Sequence, residues 1–316
     1  MSDSNLLIHI GYPKTASTWL QQGIFKEADM GFSSPWRSDW ADPIVIDKFI
    51  TVDSFSFCPQ KTYSAFEKGL QDAKEKGLYS VLSQEMLSCN FLDQSGYWGK
   101  EVADRLHSVF PQAKVLIIIR EQKSMILSAY GQNIRKGGRQ SIEQFISTEN
   151  FKSGRYPLFR LYVLKYDLLI KYYQELFGEN QVLVLPFELL KKDPISYIEH
   201  IFNFVGIQNR IIDRERFPVL TNANYKSFTL KIHKIINNFF IFPYRGYINS
   251  SDSFLWKCLW KSFSLLDKYI PQKLQDQEKL YLDKTVSTYI KNMYIESNQK
   301  TSQLIKMDLS KFGYDC

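Results

Sequence analysis

Between an apolar run, Leu6 to Ile10, and a helical pattern that begins near Ala16 lie Gly11, Tyr12, Pro13, Lys14, Thr15, Ala16, Ser17 and Thr18. The run reads as a buried strand that stops at Gly11. Pro13 turns the chain, and Trp19, Leu20 and Ile24 then recur at helical spacing. Backbone N–H groups at the start of such a helix point into the turn and carry partial positive charge, so a phosphate or sulfate can dock there. Lys14 adds a full charge. The plainer alternative leaves Lys14 solvated, with Thr15 or Ser17 capping the helix. The turn is not a Walker P-loop, because that motif needs two glycines and a lysine directly after the second, and this turn has one glycine and a proline.

A second candidate anion ligand is Arg120, which ends the apolar run Val115 to Ile119. In open α/β sheets ligands sit outside the carboxyl ends of the strands, and an arginine there can fork onto a phosphate. Ser128 and Tyr130 follow eight and ten residues later in a helical pattern. Arginines at strand ends also pair with structural carboxylates, which is the competing role.

The elements that must position these groups are legible in outline. Apolar runs at Leu78 to Leu82, Val115 to Ile119 and Val182 to Leu185 each follow a helical segment, respectively Tyr63 to Lys76, Val102 to Val109 and Leu158 to Phe177. Strands apolar throughout and alternating with helices predict a parallel sheet covered on both faces. Asp193, Pro194 and Gly206 bound another helix: a capping residue, a proline at its first position and a glycine after its end. Asp29 to Pro59 shows no clean period and reads as an irregular excursion. No repeat, low-complexity tract or linker interrupts the 316 residues, so the expectation is one domain over 1–316 with a helical C-terminal region.

The composition, 44% hydrophobic, excludes disorder as the main state, and a net charge of +7 favours an anionic ligand without demanding nucleic acid. Cys58, Cys89, Cys258 and Cys316 are scattered, with no CxxC pair, which fits a reducing cytoplasm. The N-terminal apolar run is too short for a signal-peptide core or a membrane span. His9 reads as a hydrogen-bonded core residue of the first strand. His107, His200 and His233 fall on helices without metal-ligand spacing, so no metal is expected.

The run from His9 to Gln21 resembles the 5′-phosphosulfate-binding motif of sulfotransferases that use 3′-phosphoadenosine 5′-phosphosulfate (PAPS). The spacing of Arg120, Ser128 and Tyr130 resembles the same family's 3′-phosphate-binding motif, with Met125 and Gln122 departing from the usual arginine and proline. Weaker similarity runs from Asp167 to Gly206 and returns in the tail from Tyr294 to Cys316. The resemblance implies a P-loop-kinase-like three-layer α/β fold, with a central parallel β-sheet flanked by helices. It implies Lys14 as the catalytic cation at the bridging oxygen of the donor. It also implies Gly11, Pro13, Thr15, Ala16, Ser17, Thr18 and Trp19 around the 5′ end, and Arg120 and Ser128 on the 3′-phosphate. Transfer to a hydroxyl or amine needs a base beside the first turn, and the end of the neighbouring strand delivers Glu85. Glu85 could instead cap the turn that follows it or pair with a lysine.

PAPS as donor, 3′,5′-bisphosphoadenosine (PAP) as product and a carbohydrate or glycolipid acceptor are the partners this resemblance implies. Two rival readings are a small-molecule kinase of related fold and a non-catalytic nucleotide-binding or membrane-associated protein. The aromatic, basic stretch from about 228 to 270 lies outside the resemblance. It reads as two helical stretches that pack on the body or a second subunit, or that lie on the inner membrane face.

Overall fold

A computed structural model of the chain describes residues 5–36, 43–88, 98–147, 159–208, 226–239 and 268–316. Its centre is a five-stranded, all-parallel sheet of β1 (Leu6–His9), β2 (Phe32–Ser33), β3 (Tyr79–Ser83), β4 (Lys114–Ile119) and β5 (Val182–Pro186), in the order β2-β3-β1-β4-β5. After β1 the chain goes to the far edge with β2, returns inward with β3 to pair with β1, then crosses to the other side with β4. The carboxyl ends of β3, β1 and β4 therefore surround the point where the winding reverses, the place where such sheets open a crevice.

Successive side chains of a strand point to opposite faces, and both faces here are buried. Leu6 and Ile8 of β1, with Val115, Ile117 and Ile119 of β4, enter one core, while Leu7, Leu116 and Ile118 enter the other. The larger core packs under α2 (Ile44–Phe49), α3 (Pro59–Glu75), α4 (Gly99–Val109), α5 (Gln122–Arg135), α6 (Ile142–Ile146) and α7 (Tyr166–Phe177). The smaller core lies under α1 (Ser17–Gly23), α8 (Phe187–Lys192) and α9 (Pro194–Val205). Helix, sheet and helix thus form the expected three layers.

Helix α9 has the ends its sequence announces. Asp193 accepts from the Ser196 amide, Pro194 opens the helix, and Gly206 takes φ 87° after it. The apolar runs expected as strands all became strands. Within the stretch read as irregular, however, lie the edge strand β2 and helix α2. A two-residue strand and a six-residue helix are too short to show a period. The long helix expected from Leu158 is in fact a short 3-10 turn, Leu161–Leu164, ahead of α7.

Helix α10 (Ser227–Phe239) packs against α5 and α11 (Gln272–Tyr289), and α12 (Ile295–Ile305) packs against α7. For the described part of the aromatic, basic stretch, packing on the body is therefore what the structure shows. Residues 240–267 lie outside the described residues. No helix among the described residues is long and apolar enough to cross a membrane.

Candidate active site

The first turn is pinned to β4 by amides that continue the ladder past the end of β1, Ile10 to the Leu116 carbonyl and Tyr12 to the Ile118 carbonyl, both at 3.0 Å. Gly11 is obligatory for space. A Cβ there would come within 2.7 Å of His9 Nε2, 3.2 Å of Thr15 Oγ1 and 3.3 Å of Ile118 Cβ. Pro13 is buried beside it. Lys14 and Ala16 then adopt left-handed conformations, at φ 70° and 65°. For residues with a Cβ this costs roughly 1–2 kcal/mol each, a strain that tends to persist at binding sites.

This backbone leaves its amides open. The N–H groups of Lys14, Thr15, Ala16, Ser17 and Thr18 donate to no backbone carbonyl among the described residues, and Trp19 is the first to do so, to Ala16. No side chain caps α1. The capping alternative is thus replaced by another arrangement: Thr15 turns its hydroxyl back to the Tyr12 carbonyl, leaving its amide as the group it can offer an anion. Ser17 is buried and its hydroxyl forms no well-made hydrogen bond, although it lies close enough to Glu85 to favour that carboxylate's charged form. Thr18 is exposed at the rim. Trp19 sends its ring into the smaller core, so it supports the turn from below.

Beneath the turn, His9 Nδ1 lies 2.8 Å from Ser83 Oγ, which also accepts from Gln21 Nε2 at 3.0 Å. This ties β1, β3 and α1 together. Burial lowers the His9 pKa to about 3, so the ring is neutral and structural, as its place in the strand suggested.

Glu85 opens a one-turn 3-10 helix just past β3, and Gln84 rather than Glu85 caps it. Lys14 and Glu85 lie within electrostatic reach of one another. Burial pushes the Glu85 carboxyl above its usual range, against the opposing pull of Ser17, Lys14 and Lys136. Burial, reinforced by Arg135, Arg120 and Lys136 and opposed by Glu85, lowers Lys14 to about 8. A cation and a carboxylate whose pKa values approach each other are suited to charge stabilisation and proton transfer near neutrality.

Arg120 leaves the end of β4 and holds the first turn directly. Its Nη1 donates to the Lys14 carbonyl at 2.8 Å, and its Nε donates to Ser124 Oγ at 2.7 Å. Its guanidinium lies over the Phe187 ring, 5.0 Å from the centroid. Ser124 had no place in the sequence reading, yet it is the serine that meets Arg120. Ser128 is buried one turn further along α5, on the same helical face. Tyr130 points away into the larger core, donating to the Gln140 carbonyl.

Both departures from the family pattern have structural explanations. Met125 is fully buried in the larger core, and Gln122 forms a reciprocal carboxamide pair with Asn298 of α12, at 2.6 and 3.3 Å. The tail also reaches the Arg120 turn through Tyr314, which donates to Glu188, while Glu188 accepts the Glu121 amide. Among the described residues no three His, Cys, Asp or Glu side chains converge as a metal site would require.

Arg135 and Lys136, at the far end of α5, were missed altogether. Both lie within electrostatic reach of Lys14, and Lys136 also reaches Glu85. The signal was the basic run Arg135-Lys136-Gly137-Gly138-Arg139 after a helix, but nothing local says which way such a run faces.

Residues 100–210, from α4 past the end of α9, match the family model described as the sulfotransferase family. Over these residues the chain is similar to the sulfotransferase family. A solved sulfotransferase from Alicyclobacillus acidocaldarius superposes with a TM-score of 0.57 over 98% of each chain at 16% identity, which establishes the shared fold. Sulfotransferase domains from the Synechococcus PCC 7002 olefin synthase and the curacin biosynthetic pathway align less closely. The former has a TM-score of 0.39 at 14% identity over 75% of this chain and 88% of the other. The latter has 0.37 at 13% over 69% and 78%. No curated protein matches the chain by sequence. The family match begins at α4, so the Lys14 turn and Glu85 lie outside it. Their grouping with Arg120 is a finding of the fold.

Proposed function

We propose that this sulfotransferase moves the sulfuryl group of PAPS to a hydroxyl or amine of an acceptor, and that the whole of 1–316 acts as one catalytic unit. The observation that carries the reading is the turn itself: five open amides and a lysine, held by Arg120 and faced by Glu85. A strained, cation-backed cradle of this kind suits a phosphosulfate.

In this reading the amides of residues 14–18 hold the 5′-phosphate, with Gly11 and Pro13 shaping the floor. The Lys14 ammonium lies against the bridging oxygen and stabilises the charge that grows there as the S–O bond breaks. Glu85 accepts the proton of the acceptor as the new bond to sulfur forms. Arg120, with Ser124 and Ser128 behind it, takes the 3′-phosphate as a planar fork. The products are PAP and the sulfated acceptor. A carbohydrate or glycolipid acceptor fits the aromatic-rich chain, and the scattered cysteines support a cytoplasmic site of action.

Thermal denaturation with PAP, ATP plus magnesium, and AMP tests the donor. PAP should raise the melting temperature most. A larger rise with ATP and magnesium would favour a kinase and overturn the reading. Transfer of labelled sulfate from PAPS to a panel of glycans then tests the reaction.

A further inference from the structure

Helix α10 packs on α5 and reaches its C-terminal end. Asn237 is fully buried, and its side-chain amide donates to the carbonyls of Ile134 and Gly138, each at 2.8 Å. These two carbonyls bracket the turn that carries Arg135 and Lys136. The last carbonyls of a helix have no partner within it and ordinarily turn to water or to a glycine cap. Here the Lys136 amide closes on Gln132 and Asn133, Gly137 takes φ 93°, and a Cβ on Gly138 would lie 2.2 Å from Asn133 Nδ2. The chain therefore doubles back tightly, and a side chain about a hundred residues away holds both edges of the turn.

We propose that Asn237 is a positioning residue of the transfer reaction, which holds the turn after α5 so that Arg135 and Lys136 stay beside Lys14 and Glu85. The proposal rests on the reading of Lys14 and Glu85 as the reacting pair. Arg135 is buried and Lys136 exposed. The charged groups facing Lys14 are Arg135 and Lys136 from the end of α5, Arg120 from the end of β4 and Glu85 from the end of β3. His233, one turn before Asn237 on α10, is held down to about 4 by burial and by Arg135, and so adds no charge at neutral pH. If the turn loosens, Lys14 loses two repelling neighbours and Glu85 loses an attracting one. Both pKa values should then rise together, which a general loss of folded protein would not produce.

Competitive labelling of Lys14 with acetic anhydride across pH, read by peptide mass spectrometry, tests the clamp without needing any acceptor. Asn237→Ala should lower Lys14 labelling at pH 8 by about threefold and move its titration upward, as Lys136→Met should on its own. An unchanged Lys14 titration in an Asn237→Ala protein that still melts cooperatively would overturn the proposal. Should that variant not fold, Asn237→Ser leaves one donor in the same space and is expected to shift the titration by an intermediate amount; no shift there overturns it equally. Protection of wild-type Lys14 by PAP is measured alongside. Its absence would count against the donor reading alone, since the labelling shift of the Asn237 variants is read without ligand.

Discussion

Two strand-to-helix turns sit side by side at the carboxyl ends of β1 and β4, and they treat the start of the following helix in opposite ways. After β4, Glu121 accepts from the amides of Lys123 and Ser124, so a carboxylate already occupies the positive end of α5. After β1, nothing caps α1, and two left-handed residues turn the amides outward. In the proposed reading the same architecture thus offers backbone amides to an anion in one turn and a side chain in the other. Arg120 serves both, since it holds the Lys14 carbonyl while standing at the end of its own strand. An anion ligand cannot be assigned from the presence of a helix start; whether the protein has already satisfied that start decides.

Several substitutions bear on this contrast. The largest effect is expected for Lys14→Ala, which should lower the transfer rate by about 10²–10³-fold while PAP affinity changes little. Arg120→Ala should instead weaken PAP by about 10–100-fold, from the loss of charged hydrogen bonds worth roughly 1.5–3 kcal/mol. Kinetics read with PAP titrations separate the two, and the reverse pattern would break the division of labour between the turns. Gly11→Ala forces a Cβ against His9 and should destabilise the protein by about 1–3 kcal/mol, seen as a lower denaturation midpoint, while collapsing PAP binding.

The pH dependence of kcat/KM should be bell-shaped. Activity rises as Glu85 loses its proton, above the ordinary carboxylate range because burial raises it, and falls as Lys14 loses its own near 8. Glu85→Gln should abolish the acid limb of the residual activity and move the alkaline limb to lower pH, because the carboxylate no longer holds the Lys14 pKa up; an intact acid limb would remove Glu85 as the base. The smallest effect belongs to the capped turn: Glu121→Ala should cost about 1 kcal/mol of stability in denaturant titrations and leave PAP affinity nearly unchanged. A large loss of PAP affinity there would show that the two turns are not as different as their amides suggest.

Much of this was legible in the chain itself, for a local reason. A strand buried on both faces is apolar throughout, so four of the five strands announced themselves. The capping residues of α9 and the Gly11 to Thr18 turn work through contacts within a few residues of each other. The amino-acid sequence by itself determined the layers, the strand ends and the placing of Lys14, Glu85 and Arg120 at them. Tertiary structure alone decided which neighbours they meet: Ser124 on Arg120, Gln122 on Asn298 in place of a proline, the Trp19 ring in the smaller core, and Asn237 on the turn that carries Arg135 and Lys136. Most of those partners are separated along the chain by tens to hundreds of residues, and periodicity, which reports the local path of the backbone, carries no information about side chains that meet only when the sheet brings distant helices together.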